Sequence, residues 1–269
     1  LEEVGVHVVY GLMGLKTHAK LSLVVREEGE VLRRYCHVGT GNYNPKTARF
    51  YDDLGILSSE PELGEDLSRL FNELSGHSAK HDYSRILVAP HSLRKGLLSR
   101  IHRETKNHLE GKTAWIRLKL NSLLDEEIIA ALYEAADAGV KIEIIVRGIC
   151  ALQFSTQAQL DNIKVRSILG RFLEHSRIYY FKNDGAEEYY IGSADVMHRN
   201  LDRRVEALVR IDLEKHKERL RKILDDSVSD SYSTWALLED NNWQRKVRDF
   251  DGNLLVNFQD HFVEKHNRA

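Results

Sequence analysis

Two short stretches of this 269-residue chain carry side chains able to move a phosphoryl group. His18-Ala19-Lys20 stands at the head of the apolar run Leu21-Ser22-Leu23-Val24-Val25, and His175-Ser176-Arg177 stands at the head of Ile178-Tyr179-Tyr180-Phe181. Alternation along a strand puts residues i and i+2 on one face, so each histidine shares its side with a cation. Each pair is followed, after the next strand, by a small turn: Gly39-Thr40-Gly41-Asn42 in the first case, Gly192-Ser193-Ala194-Asp195 in the second. Hydroxyl and backbone N–H groups of such turns suit an anion. Alone, a His-x-Lys is an ordinary exposed histidine. The same arrangement twice, with the histidines 157 residues apart, indicates an internal duplication. Two half-sites facing each other would set two imidazoles and two cations around one phosphorus. One ring can attack in line and the other can protonate the leaving oxygen. Cations and backbone donors would stabilise the equatorial oxygens.

The elements that must position these groups are readable from periodicity. Strands are predicted over residues 6–10, 19–26 and 31–38, the last two forming a hairpin that turns at Gly29. "GTGNYNPKTARFYDDLG" is predicted to be a loop held by polar contacts. Leu63, Leu67, Leu70, Phe71 and Leu74, with Pro61 before them and Gly76 after, mark an amphipathic helix. A second unit starts near Ser84. Its predicted strands are 85–89, 114–120, 140–146, 163–169, 177–181, 188–191 and 204–211. Its predicted helices are 93–109, 125–138 and 213–224. Strand–helix–strand succession favours a parallel sheet. Asn183-Asp184-Gly185 is a hairpin turn. The last forty residues read as polar and mixed, ending in a helical tail over 256–265. The opening "LEEVGVHVVYG" reads as the middle of a βα unit, so a C-terminal fragment of a longer protein is expected.

Composition removes several classes. The 39 basic and 41 acidic residues nearly cancel, giving a net charge of −2, so no global attraction to nucleic acid or membranes is expected. Cys36 and Cys150 form neither a CxxC pair nor a zinc spacing; two buried free thiols are expected. No apolar run approaches the ~18–20 residues that span a bilayer, and no signal peptide is seen. "EGKT" at 110–113 lacks the first glycine of a phosphate loop, whose place Lys106 takes. His77 and His81 lack a carboxylate motif for zinc. Arg94, Lys95, Arg100, Arg103 and Lys106 read as a solvated helix face. Tyr179, Tyr180, Tyr189 and Tyr190 read as core and edge aromatics. Arg147, after the apolar run "VKIEIIV", sits at a strand's C-terminal end, where α/β sheets bind ligands.

His-x-Lys followed by a Gly-Ser turn resembles the phospholipase D superfamily. "GLKTHAKLSLVVR", "YCHVGTGNYNPKTARFYDDLG", "IIVRGIC", "HSRIYYF" and "YIGSADVMHRNLDRRVE", in this order, closely resemble bacterial polyphosphate kinase over essentially the whole chain. The resemblance implies an α/β fold of two phospholipase-D-like catalytic domains, each a mixed sheet flanked by helices, over residues 1–83 (N-terminally truncated) and 84–269. It implies reversible transfer of the ATP γ-phosphate to inorganic polyphosphate through a phosphohistidine, with His18 phosphorylated and His175 the second catalytic histidine. It implies that Tyr51, Arg147 and His175 hold the nucleotide or its phosphates, and that Lys20, Arg177 and Arg204 bind anions. Asp53 is a nucleotide or orienting contact, and His37 a weaker catalytic candidate. It further implies Mg2+ with ATP, its ligands expected upstream of Leu1; ATP/ADP and polyphosphate as partners, without nucleic acid; a homo-oligomer when full length, with any membrane association of the full-length protein not visible here; and a cytoplasmic location. The chain departs from the superfamily where its aspartate, seven residues after each histidine, would stand: Val25 and Lys182 are there instead, Arg177 replaces the second lysine, and Asp195 stands near the place of the second asparagine. The alternatives are a phosphodiesterase of the same superfamily, or a fragment that binds nucleotide or polyphosphate without turnover.

Overall fold

A computed structural model describes residues 1–77 and 82–267, so His81 of the His77/His81 pair lies outside the described residues. Its strands are β1 (Lys16–Thr17), β2 (Lys20–Glu28), β3 (Val31–Gly39), β4 (Tyr51–Asp52), β5 (Gly55–Ser58), β6 (Ile86–Ala89), β7 (Trp115–Leu120) and β8 (Lys141–Val146). Then come β9 (Ile163–Ser167), β10 (Leu173–Glu174), β11 (Ile178–Phe181), β12 (Glu188–Gly192), β13 (Arg204–Ile211), β14 (Tyr232–Leu237), β15 (Trp243–Lys246) and β16 (Val256–Asn257). The helices are α1 (Pro61–Leu74), α2 (Leu93–Leu109), α3 (Glu126–Asp137), α4 (Gln157–Asn162), α5 (His198–Asp202), α6 (Glu214–Val228) and α7 (Phe258–Asn267).

The fold is mixed α/β. Eleven strands form one sheet in the order β1-β13-β12-β11-β7-β8-β9-β14-β15, with β6 also paired to β13 and β16 to β14. β7, β8 and β9 run parallel, as a strand–helix–strand succession demands, because a parallel partner is reached only by a crossover. Asp125 begins that crossover by accepting the Ile128 N–H at 3.1 Å, capping α3. One sheet face buries Leu97, Ile101 and Leu132 of α2 and α3 against Leu118, Ile142 and Ile144. The other buries Leu63, Leu67 and Leu70 of α1 and Leu224 of α6 against Val88, Ile178 and Val209. The hairpin β2–β3 and β5 make a separate antiparallel sheet, and β4 pairs with β10 in a two-stranded parallel ladder.

Several expectations need correction. Residues 6–10 form no strand: Val6, Val9 and Tyr10 are exposed, and β1 further on supplies the contact with β13. The stretch 39–55 is more than a loop, for a 3-10 turn at Thr47–Arg49 leads into β4 and β5. The C-terminal region holds three strands. In β14, Thr234 and Ala236 are buried on alternate positions between the half-buried Ser233, Trp235 and Leu237, a short period-2 signal carried by small side chains. Cys36 is buried, but Cys150 only half-buried. The tyrosines Tyr179, Tyr180, Tyr189 and Tyr190 are buried. On α2, Arg94 pairs with Asp125 and Asp202, and Arg100 and Arg103 pair with Glu188, so three of the five residues of its basic face are committed to structural ion pairs.

Candidate active site

The site forms where the two repeats cross. The backbone N–H groups of His18 and Ala19 both donate to the Val205 carbonyl, at 2.9 and 3.0 Å, tying the first histidine to β13. The next residue on that strand, Glu206, is fully buried. Its carboxylate lies 2.9 Å from His18 Nδ1. It also accepts from the Ser193 hydroxyl and, at 2.7 Å, from Asn200 Nδ2. The second histidine repeats this in reverse. His175 N–H donates to the Asp52 carbonyl at 3.1 Å. Its Nδ1 lies 2.7 Å from Asp53 Oδ1, which accepts from the Thr40 hydroxyl at 2.7 Å. Each histidine is thus oriented by a carboxylate from the other repeat, and each carboxylate is held by the hydroxyl of a Gly-Thr or Gly-Ser turn.

In this arrangement the turns take a structural part. Their amides are spent on backbone, Thr40 N–H to Leu54 O at 2.9 Å and Ser193 N–H to Ala207 O at 3.0 Å, and their hydroxyls on carboxylates. Through those hydroxyls the turns align the histidines. Gly192 is required by close approach: a Cβ there would stand 2.0 Å from the Ala207 carbonyl oxygen.

A carboxylate acting as acceptor from a hydroxyl accepts also from Nδ1, so each ring carries a proton on Nδ1, and in its neutral form the lone pair is on Nε2. Burial raises the Asp53 carboxyl, but hydrogen bonds from His175 and Thr40 and the nearby cations outweigh it and leave it below its ordinary range. Burial lowers His175 below the usual imidazole value; Asp53 opposes this, and Arg177, with Nη1 at 3.3 Å from Nε2, adds to it. His175 is therefore a neutral, proton-accepting ring at neutral pH. The His18 side chain keeps 22% of its exposure, enough to meet a substrate.

Cations surround the histidines. Lys20 is buried and donates to the His18 carbonyl at 2.5 Å. Burial brings its ammonium down to about 8; Glu206 opposes, while Arg177 and Arg204 push the same way. Lys20 thus senses charges of both repeats, Asp53 among them. Arg177 is clamped by Asp195, at 2.9 Å from Nη2, and donates to the His175 carbonyl at 2.8 Å. Arg204 opens β13 and makes no ion pair among the described residues. Arg147 Nε donates to Asn121 Oδ1 at 2.8 Å and the Glu174 carbonyl at 3.0 Å. The Tyr51 ring packs on His175 with centroids 4.8 Å apart. His37, on β3 of the antiparallel sheet, stands apart from these pairs, its Nδ1 2.6 Å from the Tyr43 hydroxyl.

Among the described residues no group of three or more His, Cys, Asp or Glu is arranged to hold a metal ion. Asp53 and Glu206 already serve the histidines. No helix of the described residues is long and apolar enough to cross a membrane. Sequence reasoning missed Glu206, Asn200 and Asn121. The available signal was spacing: Thr40 to Asp53 and Ser193 to Glu206 are both 13 residues.

Residues 1–80 match the profile of Polyphosphate kinase C-terminal domain 1, and residues 86–257 match Polyphosphate kinase C-terminal domain 2. The chain is 56% identical over 268 residues to a polyphosphate kinase of Streptomyces coelicolor, covering 100% of this chain and 36% of the relative. It is 51% identical over 266 residues to one of Mycobacterium avium, covering 99% and 36%. The crystal structure of polyphosphate kinase from Porphyromonas gingivalis superposes with a TM-score of 0.89 at 33% identity, covering 100% of this chain and 42% of that one. The chain spans about a third of the length of these curated relatives. It belongs to the polyphosphate kinase family, with its two parts matching the family's C-terminal domains 1 and 2.

Proposed function

We propose that this chain carries the phosphotransfer centre of a polyphosphate kinase, which moves the γ-phosphate of ATP reversibly to the end of inorganic polyphosphate through a phosphohistidine at His18. The observation that carries the reading is the crossed pair of histidines, each held at Nδ1 by a carboxylate of the other repeat. In the first step the Nε2 lone pair of His18 attacks the γ-phosphorus. The N–P bond forms, the bond from phosphorus to the bridging oxygen breaks, and ADP departs with that oxygen. Glu206 stabilises the positive charge that develops on the ring. In the second step a terminal oxygen of polyphosphate attacks the same phosphorus and the N–P bond breaks. Two in-line displacements of similar difficulty account for reversibility. His175, neutral at rest, takes a proton from an arriving phosphate and returns it to a departing one. Lys20, Arg147, Arg177 and Arg204 supply the field for the phosphate oxygens. Tyr51, beside His175, is assigned to the nucleotide, and Asp53 orients His175.

The relatives' name implies ATP and polyphosphate as substrates, with Mg2+ travelling on the nucleotide, and the reading places the reaction in the cytoplasm, where ATP is made. It keeps the division of the catalytic units between residues 83 and 84. The test is incubation with γ-labelled ATP and short polyphosphate, beside hydrolysis of a chromogenic phosphodiester. Label appearing in polyphosphate, lost in His18→Ala, supports the kinase. Diester cleavage without transfer supports the phosphodiesterase alternative. ATP binding with neither activity supports a silent binding unit.

A further inference from the structure

The His175–Asp53 pair is set by more than its own hydrogen bond. The β4–β10 ladder pairs Leu173 with Tyr51 and Glu174 with Asp52, so the next residues, His175 and Asp53, arrive side by side. Two pairs of residues cannot hold such a ladder unaided. It also sets two acids, Glu174 and Asp52, directly opposite each other, which is repulsive.

Two side chains from elsewhere answer both problems. Lys119, on β7 and 2% exposed, places Nζ 2.7 Å from Glu174 Oε2, 3.8 Å from Asp52 Oδ2 and 2.7 Å from Ser176 Oγ. The Ser176 hydroxyl donates onward to Asp52 Oδ2 at 3.2 Å. Gln259, on α7, treats the segment before His175 as a neighbouring strand would. It accepts the Phe172 N–H at 2.7 Å and donates to the Phe172 carbonyl and to Glu174 Oε1, both at 2.8 Å. Gly170 makes room for it, since a Cβ there would meet the Gln259 side-chain oxygen at 2.5 Å.

We propose that Lys119 and Gln259 are positioning residues for the second histidine: Lys119 neutralises the facing acids of the β4–β10 ladder and Gln259 clamps its β10 side, so that His175 presents Nδ1 to Asp53 and Nε2 to the substrate. The proposal rests on His175 being the proton-transferring group. Its test is therefore read from the ring itself, without turnover.

The measurement is the ¹⁵N spectrum of histidine rings in the unliganded chain, with His175 assigned by loss of its signals in His175→Gln. Wild type shows a single Nδ1–H tautomer for His175. In Lys119→Met and in Gln259→Ala that tautomer gives way to a mixture, while Lys119→Arg keeps it. The double variant Lys119→Met/Asp52→Asn, which removes one facing acid along with the cation, recovers it. Where phosphotransfer is measured, Lys119→Met lowers kcat about tenfold to a hundredfold, as for misplacement of a reacting group, with KM for ATP unchanged. A single unaltered tautomer in both Lys119→Met and Gln259→Ala overturns the proposal. So does a rise in KM with the tautomer intact, since Lys119 would then touch substrate directly. Should Lys119→Met not fold, Gln259→Ala decides alone. A wild-type chain that transfers no phosphate counts against the proposed function and leaves the ring signals to judge the positioning.

Discussion

At the His18 ring, Glu206 holds Nδ1 and leaves Nε2 free, and Ser193 and Asn200 hold Glu206. Glu206→Gln keeps the shape but weakens the charge that stabilises the developing imidazolium. Phosphorylation of His18 is predicted to slow by about a hundredfold, at the lower end of what a positioned proton or charge partner contributes, measured as the rate of label uptake. Lys20 gives a pH prediction. Its folded value, about 8, lies below the ordinary 10.5 because burial disfavours the charge. As pH rises through about 8 the free site loses a positive charge that an exposed lysine would keep. Tripolyphosphate affinity is predicted to fall over that range, and in Lys20→Arg to hold to higher pH; calorimetric titration at stepped pH checks both. Much at this scale was legible in the sequence, since His18, Lys20, His175 and Arg177 announce themselves by type and spacing, whereas Asp53 entered only through the family resemblance. Glu206 did not, because its value comes from a partner 188 residues away.

Among the elements, the hydrophobic ones were legible and the short polar ones were not. α2 spans the residues its periodicity marks, β8 and β13 are mostly apolar, and β7 alternates apolar with charged residues. β4 and β10 are two residues each, stabilised by contacts distant in sequence, and no local pattern reveals such strands. β7 does carry a clue: Ile116, Leu118 and Leu120 alternate with Arg117 and Lys119, all of them buried, which marks one face as lined with charge. Crowding at the second turn yields a further prediction. Gly192→Ala drives a methyl into the Ala207 carbonyl and is expected to cost about 1–3 kcal/mol, read from the midpoint of urea unfolding. The same change is expected to disturb Ser193 and through it Glu206, so His18 labelling falls in the residual folded protein.

Across the whole molecule, the two repeats share both a site and a core. Leu67 and Leu70 of α1 are buried in one cluster with Val88, Ile178 and Val209 of the large sheet. Leu67→Ala should therefore destabilise the entire chain, by about 2–5 kcal/mol as large-to-small core changes do, and calorimetry should show one transition rather than two. The duplication was visible in the sequence as a repeated His-x-cation and small turn. Its consequence, that each half orients the other's histidine, required the fold. The central claim is that this crossed arrangement makes His18 a nucleophile, and the most direct measurement is peptide mapping after incubation with γ-labelled ATP. The account predicts one acid-labile, alkali-stable phosphoryl group on His18, absent in His18→Ala and much reduced in Glu206→Gln. Label on another residue, or undiminished label in His18→Ala, would contradict it.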